Sequence, residues 1–401
     1  MEHKESINKF LETVLGFSKP WYVEEMIQTD QEITIILDYP KGTIFTCPRC
    51  DKPCHVYDHR WKTFRHLDWW QYKTNIKIKI PRIQCCQKTL IPKINWLRRG
   101  SKFTKMMENH IIDLAKTSSI NKASKLLRIT DTQMWRIVHY HVNKCRKNAD
   151  FSDLTNLGID ETSKKGHNYI TNFVDLDKRK VMYIALGKDA RTVEEFASDL
   201  ELHGGCRENV LNTTSDMSLA FEKGIHSEFA NSSIVIDKFH VIKHFNDAVN
   251  ATLRLDIASG YDFKKSKYVW MKNYENLTQK QMERLEQMNR VHSMTGRAYQ
   301  MKVMMQEIYK LTSKVDAAGA LDGLISWMKR SRNEYMKKVA RMLVGHYGDI
   351  LNYFDNRLTN AILEGLNNVV QSVKRVARGF RSGEYFRCMV YLHCGAFEVK
   401  V

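Results

Sequence analysis

Leu157-Gly-Ile-Asp160-Glu161, Tyr169-Ile-Thr-Asn-Phe-Val-Asp-Leu176 and Lys180-Val-Met-Tyr-Ile-Ala-Leu186 are three short apolar runs separated by tight turns, the pattern of an antiparallel meander. A helical stretch follows at Thr192–Leu202, and then two more strand-like runs, Asn209-Val-Leu-Asn-Thr-Thr-Ser-Asp216 and Ser233-Ile-Val-Ile-Asp237, separated by a helix over 217–230. Both late runs end in aspartate. The order is βββαβαβ, an α/β arrangement in which a mixed sheet is flanked by helices.

That order is the order of an RNase H-like domain, which sets an aspartate on its first strand beside one at the end of its fourth. Asp160 and Asp216 are therefore expected to face each other across neighbouring strands. Such a pair suits a two-metal site, where two divalent ions about 3.5–4 Å apart serve phosphodiester cleavage or transfer. Mg²⁺ or Mn²⁺ is the expected cofactor, because hard cations prefer carboxylate oxygen and retain water. A third carboxylate has to come from a helix near the strand ends, and Glu364 in Asn360-Ala-Ile-Leu-Glu-Gly-Leu-Asn-Asn368 is the candidate. Asp237, in Asp237-Lys-Phe-His240, rivals Asp216; with His240 it is expected to orient a ligand or contact substrate phosphate, or simply to cap a helix. Downstream of Glu364, helical spacing would bring Asn368, Gln371, Arg375 and Arg378 onto one face with Arg381 nearby, a basic stripe for the DNA backbone or a solvated helix face.

Upstream, proline and cysteine mark a boundary. All six prolines (Pro20, Pro40, Pro48, Pro53, Pro81, Pro92) and five of nine cysteines lie before residue 97. Residues 1–97 read as strands and turns, with alternation in Glu32–Leu37 and Asn75–Ile80. Between these runs, Cys47-Pro-Arg-Cys50 has the spacing with which two thiolates share a tetrahedral Zn²⁺. The second half-site is the adjacent pair Cys85-Cys86, with Cys54, His55, His59 and His66 as substitutes; the alternative is a reduced, metal-free knuckle.

Residues 98–150 read as helices. Ser119–Leu127 and Gln133–Val142, joined at Arg128-Ile-Thr-Asp-Thr132, match a helix-turn-helix with Thr130 or Asp131 as the second N-cap. Thr132, Gln133 and Arg136 would then reach base edges while Lys122 and Lys125 sit near phosphates. A plain helical hairpin is the other reading. Composition favours nucleic acid, since 63 Lys+Arg against 45 Asp+Glu leave a net +18 with His neutral. No apolar run approaches the roughly 20 residues of a membrane span, and the start Met1-Glu-His-Lys-Glu-Ser lacks a signal-peptide pattern. No membrane association is expected, and the expected location is intracellular.

Ile80-Pro-Arg-Ile-Gln-Cys85, Trp96-Leu-Arg-Arg-Gly-Ser-Lys-Phe-Thr104, Gly158-Ile-Asp-Glu161, Ser215-Asp-Met-Ser218, Ile236-Asp-Lys-Phe-His-Val-Ile-Lys-His244, Thr359–Asn368 and Gly379-Phe-Arg381 follow one another in unbroken order. In this the chain resembles the ISL-three family of insertion-sequence transposases, from about residue 40 onward. The resemblance implies a zinc-ribbon-like β module (1–97), a helix-turn-helix that reads element ends (98–150), a DDE-type catalytic domain (151–245 and 356–401) and an all-helical insertion (246–355). It also implies metal-dependent cutting and joining of double-stranded DNA, at terminal inverted repeats and target, by a homodimer or larger synaptic assembly in the bacterial cytoplasm at the nucleoid. An Asp-x-x-His after the second catalytic aspartate favours Asp216 over Asp237 as a triad member. The departure is the shortened pair Cys85-Cys86. A rival reading from another class is a sequence-specific DNA-binding regulator with an inactive nuclease domain.

Overall fold

The computed structural model describes residues 2–17, 19–164, 168–263, 265–291, 293–358, 361–380 and 382–401. It is a mixed α/β protein whose chain divides into two compact units, Met1–Cys145 with Val376–Gly379 and Glu398–Val401, and Arg146–Arg375 with Phe380–Phe397.

The first unit opens with α1 (Glu2–Val14) and a sheet of β1 (Tyr22–Gln28), β2 (Glu32–Asp38), β3 (Ile44–Thr46), β4 (Pro53–Arg65), β5 (Lys73–Cys85) and β6 (Lys88–Leu90), in the order β1-β2-β5-β4-β3 with β6 on β5. The two alternating runs of the sequence lie side by side and parallel, Ile35 opposite Ile76 and Leu37 opposite Ile78. Ile35, Leu37, Ile76 and Ile78 are fully buried, as period-two patterning on a one-sided sheet requires. Three helices follow: α2 (Lys105–Thr117), α3 (Ile120–Leu126) and α4 (Asp131–Lys147). The boundary expected near residue 97 falls inside this unit. Its physical reason is a polar lock: Arg65 bonds Asp68 and donates to Leu127 O at 3.3 Å, while Arg128 donates to Gln71 O at 2.8 Å and pairs with Asp68. These contacts seat the turn between α3 and α4 on the β4–β5 loop.

The second unit is built on β7 (Asn156–Lys164), β8 (Asn168–Asp175), β9 (Lys180–Leu186), α5 (Ala190–Leu202), β10 (Asn212–Ser215), α6 (Leu219–Glu228), β11 (Ser233–Ile236) and α7 (Lys238–Ala258). Its sheet runs β11-β10-β7-β8-β9. β7, β8 and β9 form the antiparallel meander, and β10 and β11 run parallel to β7. Ile159, Phe173, Phe196, Val235 and Ile236 fill its core.

Beyond α7 come α8 (Lys267–Met271), α9 (Gln279–Asn289), α10 (Met294–Ile308), α11 (Lys314–Arg330), α12 (Glu334–Gly345), α13 (Tyr347–Leu351) and α14 (Tyr353–Asn356), and then α15 (Ala361–Ala377) and α16 (Gly383–Cys394). The boundary expected at 245 lies within α7. That helix continues because Val241, Phe245, Ala248, Val249 and Leu253 form one buried face with no breaker between them, and its core merges with that of the insertion through Trp270, Met305 and Leu321.

Candidate active site

Three aspartates lie level across the three parallel strands of the second sheet. Thr214 pairs with Gly158 on β7 and with Val235 on β11, so counting two residues onward along each parallel strand brings Asp160, Asp216 and Asp237 level. Strand alternation points neighbours such as Glu161 the other way.

Asp160 is half-buried, opposite Asn172 on β8. Its carboxyl is pushed up to about 6, chiefly by burial, with the charge of Asp216 adding to the rise and His240 and the Asn367 amide opposing it. Asn367 of α15 donates its Nδ2–H to Asp160, and its carbonyl oxygen accepts from Thr162 Oγ1 at 2.7 Å and Asn172 Nδ2 at 3.1 Å. Helix α15 can approach this closely because residue 158 is glycine. A Cβ there would stand 2.8 Å from Leu176 and 3.1 Å from Leu363.

Asp216 accepts from the Ser218 amide at 3.2 Å, just ahead of α6. Helix α6 is held in turn by Glu222, whose Oε1 lies 3.1 Å from His346 Nδ1. Asp237 is buried, caps α7 through the Phe239 amide at 3.2 Å, and stands 3.6 Å from His240 Nδ1. Glu364 is exposed in the first turn of α15, one residue after Leu363 and three before Asn367. The carboxylates of Asp160, Asp216 and Glu364 do not all three lie within 4.8 Å of one another.

The basic stripe is shorter than its spacing suggested. Helix α15 stops at Ala377, and Arg378 leaves it with φ +54°, followed by Gly379 at +117°. Arg375 is exposed on the helix, Arg378 is not on its face, and Arg381 lies outside the described residues.

In the helix-turn-helix, Thr130 is the cap. Its hydroxyl accepts from the Gln133 amide at 3.2 Å, and Gln133 Oε1 accepts from the Thr130 amide at 3.0 Å, a reciprocal capping box. Gln133 is thus committed through its oxygen. Thr132, Arg136, Lys122 and Lys125 are exposed.

Comparison with known proteins decides the family. Residues 157–390, more than half of the chain, match the ISL3 family described as "Transposase", and residues 92–142 match the "Helix-turn-helix domain of transposase family ISL3". The chain belongs to the ISL3 family of transposases. It is 24% identical over 362 residues to the transposase for insertion sequence element IS1001 of Bordetella parapertussis, covering 86% of this chain and 88% of that one. It is likewise 24% identical over 369 residues to the transposase for insertion sequence element IS1557 of Mycobacterium tuberculosis, covering 84% of this chain and 82% of the relative. This ISL3 protein is therefore a DNA transposase with a helix-turn-helix DNA-binding domain, and the regulator reading is not favoured. Its family implies the use of divalent metal. No helix among the described residues is long and apolar enough to cross a membrane.

This transposase also carries the cysteine cluster. The Sγ atoms of Cys47, Cys50, Cys85 and Cys86 lie within 4.8 Å of one another, with Cys50 to Cys85 at 3.4 Å and Cys85 to Cys86 at 3.8 Å. A tetrahedral ion with Zn–S bonds of about 2.3 Å sets its sulfurs roughly 3.8 Å apart. Adjacent cysteines reach one point because Cys86 and Gln87 are both left-handed, at φ +51° and +56°, in a two-residue turn closed by the pair Cys85 and Lys88. The Arg49 amide chiefly pulls the Cys47 thiol down to about 7. Cys54 lies beside Cys85 and also donates to Lys52 O at 3.5 Å, outside the group of four, and His66 is buried against Thr104 Oγ1 at 2.8 Å.

Sequence reasoning named Asn368 and missed Asn367. The signal was available: with Leu363 as the buried position, Asn367 is the residue one turn on, facing the sheet.

Proposed function

We propose that the second unit is an RNase H-like domain in which Asp160, Asp216 and Glu364 hold Mg²⁺ or Mn²⁺. The observation that carries this reading is the level row of aspartates beside Asp160, whose carboxyl is raised by burial and by Asp216. A half-buried carboxylate next to another negative charge lacks positive charge, and a divalent cation supplies it. When bound, the ions activate the attacking oxygen and stabilise the leaving oxygen.

The chain's own residues do the rest. Asn367 holds the Asp160 carboxylate in one orientation, and Asp237 fixes the start of α7 with the His240 charge acting on Asp160. Glu364 enters from the helix that Leu363 seats on Gly158. Arg375 grips the DNA backbone near the reacting phosphate. Water cuts the phosphodiester at the element end, and the freed 3′-hydroxyl then attacks target DNA in line, within a dimer or larger assembly that pairs both ends. Thr132 and Arg136 read the terminal repeats, with Lys122 and Lys125 on phosphates. Four thiolates, Cys47, Cys50, Cys85 and Cys86, hold a structural Zn²⁺ that ties the β5–β6 turn to the Cys-x-x-Cys knuckle; their near-tetrahedral spacing supports this.

The test is Mg²⁺- or Mn²⁺-dependent cleavage of labelled DNA from the ends flanking the reading frame, followed by joining of pre-cut ends to plasmid. Loss of cleavage in Asp216→Asn with only weakening in Asp237→Asn supports the triad. Loss in Asp237→Asn alone transfers the second position to Asp237, and end binding without cleavage by the wild type revives the regulator.

A further inference from the structure

Glu222, His346 and Asp349 each bring one possible ligand atom within 4.8 Å of the other two. Glu222 lies in the first turn of α6, a helix whose Phe221 and Ile225 join the core of the second sheet. His346 is the residue at which α12 ends and α13 begins, and Asp349 lies in the first turn of α13. The group therefore links a helix packed on the sheet to a joint between two helices of the insertion. His226 stands one turn beyond Glu222 on α6, and its charge acts on both Glu222 and Asp349. Glu222 with His226 are four residues apart and His346 with Asp349 three, the spacings that set two helical side chains side by side.

A simple ion pair does not account for the geometry. A protonated imidazole beside a carboxylate makes an aligned, charge-assisted hydrogen bond of about 2.7–2.9 Å. Glu222 Oε1 lies 3.1 Å from His346 Nδ1, yet it is buried with no hydrogen-bond partner among the described residues. Contact without a shared proton is the relation between two ligands of one ion: with bonds of about 2.0–2.1 Å, neighbouring ligand atoms stand roughly 3–3.4 Å apart. Asp349 Oδ2 is 3.9 Å from the same nitrogen, a difference that a turn of its carboxylate closes. Burial pushes the carboxyls of Glu222 and Asp349 up, and the groups that oppose this are the imidazoles of His346 and His226. Imidazole nitrogen with carboxylate oxygen is a zinc donor set, whereas Mg²⁺ takes oxygen and keeps its water.

We propose that Glu222, His346 and Asp349, with His226 or a water as the fourth ligand, bind one Zn²⁺ that clamps α6 to the α12–α13 joint. This ion is distinct from the divalent metal at the aspartates and from the zinc of the cysteine cluster, and it depends on neither of those readings. Its role is structural: it ties the insertion to the sheet through side chains that belong to both.

The experiment uses the untagged full chain, loaded with Zn²⁺ in excess Mg²⁺ and gel-filtered. X-ray absorption at the zinc edge is expected to show a shell of nitrogen and oxygen at about 2.0–2.1 Å with the outer scattering of imidazole, whether or not a sulfur shell at about 2.3 Å accompanies it. Glu222→Gln and His346→Gln are each expected to lose that shell, with zinc affinity there weakened more than about tenfold, and to show a smaller zinc-induced rise in melting temperature than wild type. Because His346 closes a helix joint, Asp349→Asn provides a variant at a more exposed position, expected to melt like wild type without zinc and to bind it more weakly. Cys50→Ser and Asp160→Asn are expected to keep the nitrogen and oxygen shell. An unchanged shell and zinc content in the Glu222, His346 and Asp349 variants, or zinc held by sulfur alone in the wild type, overturns the site. Loss of the shell in Asp160→Asn assigns that ion to the aspartates and overturns it as well.

Discussion

Two carboxylates, one in each unit, are taken out of water with opposite results. Glu108 on α2 is fully buried; burial pushes its carboxyl up, but His141 at 2.7 Å, Arg98 at 2.8 Å and Ser101 outweigh that and hold it below the usual range. Asp160 is less buried, has the Asn367 amide as its side-chain donor together with the Glu161 backbone amide, and is pushed up to about 6. A buried charge surrounded by its own cation and donors joins a structure together, whereas one that folding leaves short of positive charge is poised to take up a cation. The difference separates a brace from a reaction centre within one chain.

The largest expected effect lies on the Asp160 side of that contrast. Asp160→Asn is expected to cut cleavage and joining by about 10²–10³-fold or more while leaving the melting temperature equal or higher, because a carboxylate that burial disfavours more than its donors favour has been removed; a clear fall in melting temperature would make Asp160 a brace too. Glu108→Ala should do the reverse. It strands Arg98 and His141, and denaturant unfolding is expected to show a loss of about 3–5 kcal/mol. Unchanged stability would break the comparison.

A third buried group sharpens it. Burial first, and the charge of Arg65 second, push the His66 imidazole down to about 4. The unfolded chain therefore binds a proton that the folded one refuses between about 6.5 and 4, so stability falls as pH drops through that window, by at most about 3 kcal/mol. Urea unfolding at pH 7 and pH 5 measures it, and His66→Gln should flatten the slope. The smallest effect is at Asn367, a positioning residue. Asn367→Ala should lower kcat for cleavage about tenfold with little change in KM for DNA, and Asn367→Gln should not restore it, since the longer side chain misplaces the amide.

Legibility in the sequence followed the range of the interaction. The strands of the second unit were readable because apolar runs and turn residues are local, and Lys180–Leu186 matches its strand end for end. The helix-turn-helix was readable from amphipathic spacing, although which of two neighbours capped its second helix was not. Arg378 was misread because nothing in Arg375-Val-Ala-Arg378 breaks a helix; the following Gly379 is what permits the left-handed exit.

By itself the sequence determined the strands of the second sheet, the helices of the helix-turn-helix and that aspartates follow two strands, because those properties depend on neighbours a few positions away; it did not reveal α1 (Glu2–Val14), a helix inside the stretch read as strands and turns. Only the tertiary structure decided that Asp160, Asp216 and Asp237 are level, that Asn367 and not Asn368 touches the first of them, that Cys85 and Cys86 both turn to the knuckle, and that Glu108 is a satisfied charge. Each of those depends on strand register, helix phase or a left-handed backbone, and so on contacts between residues distant in the chain that local patterning does not encode.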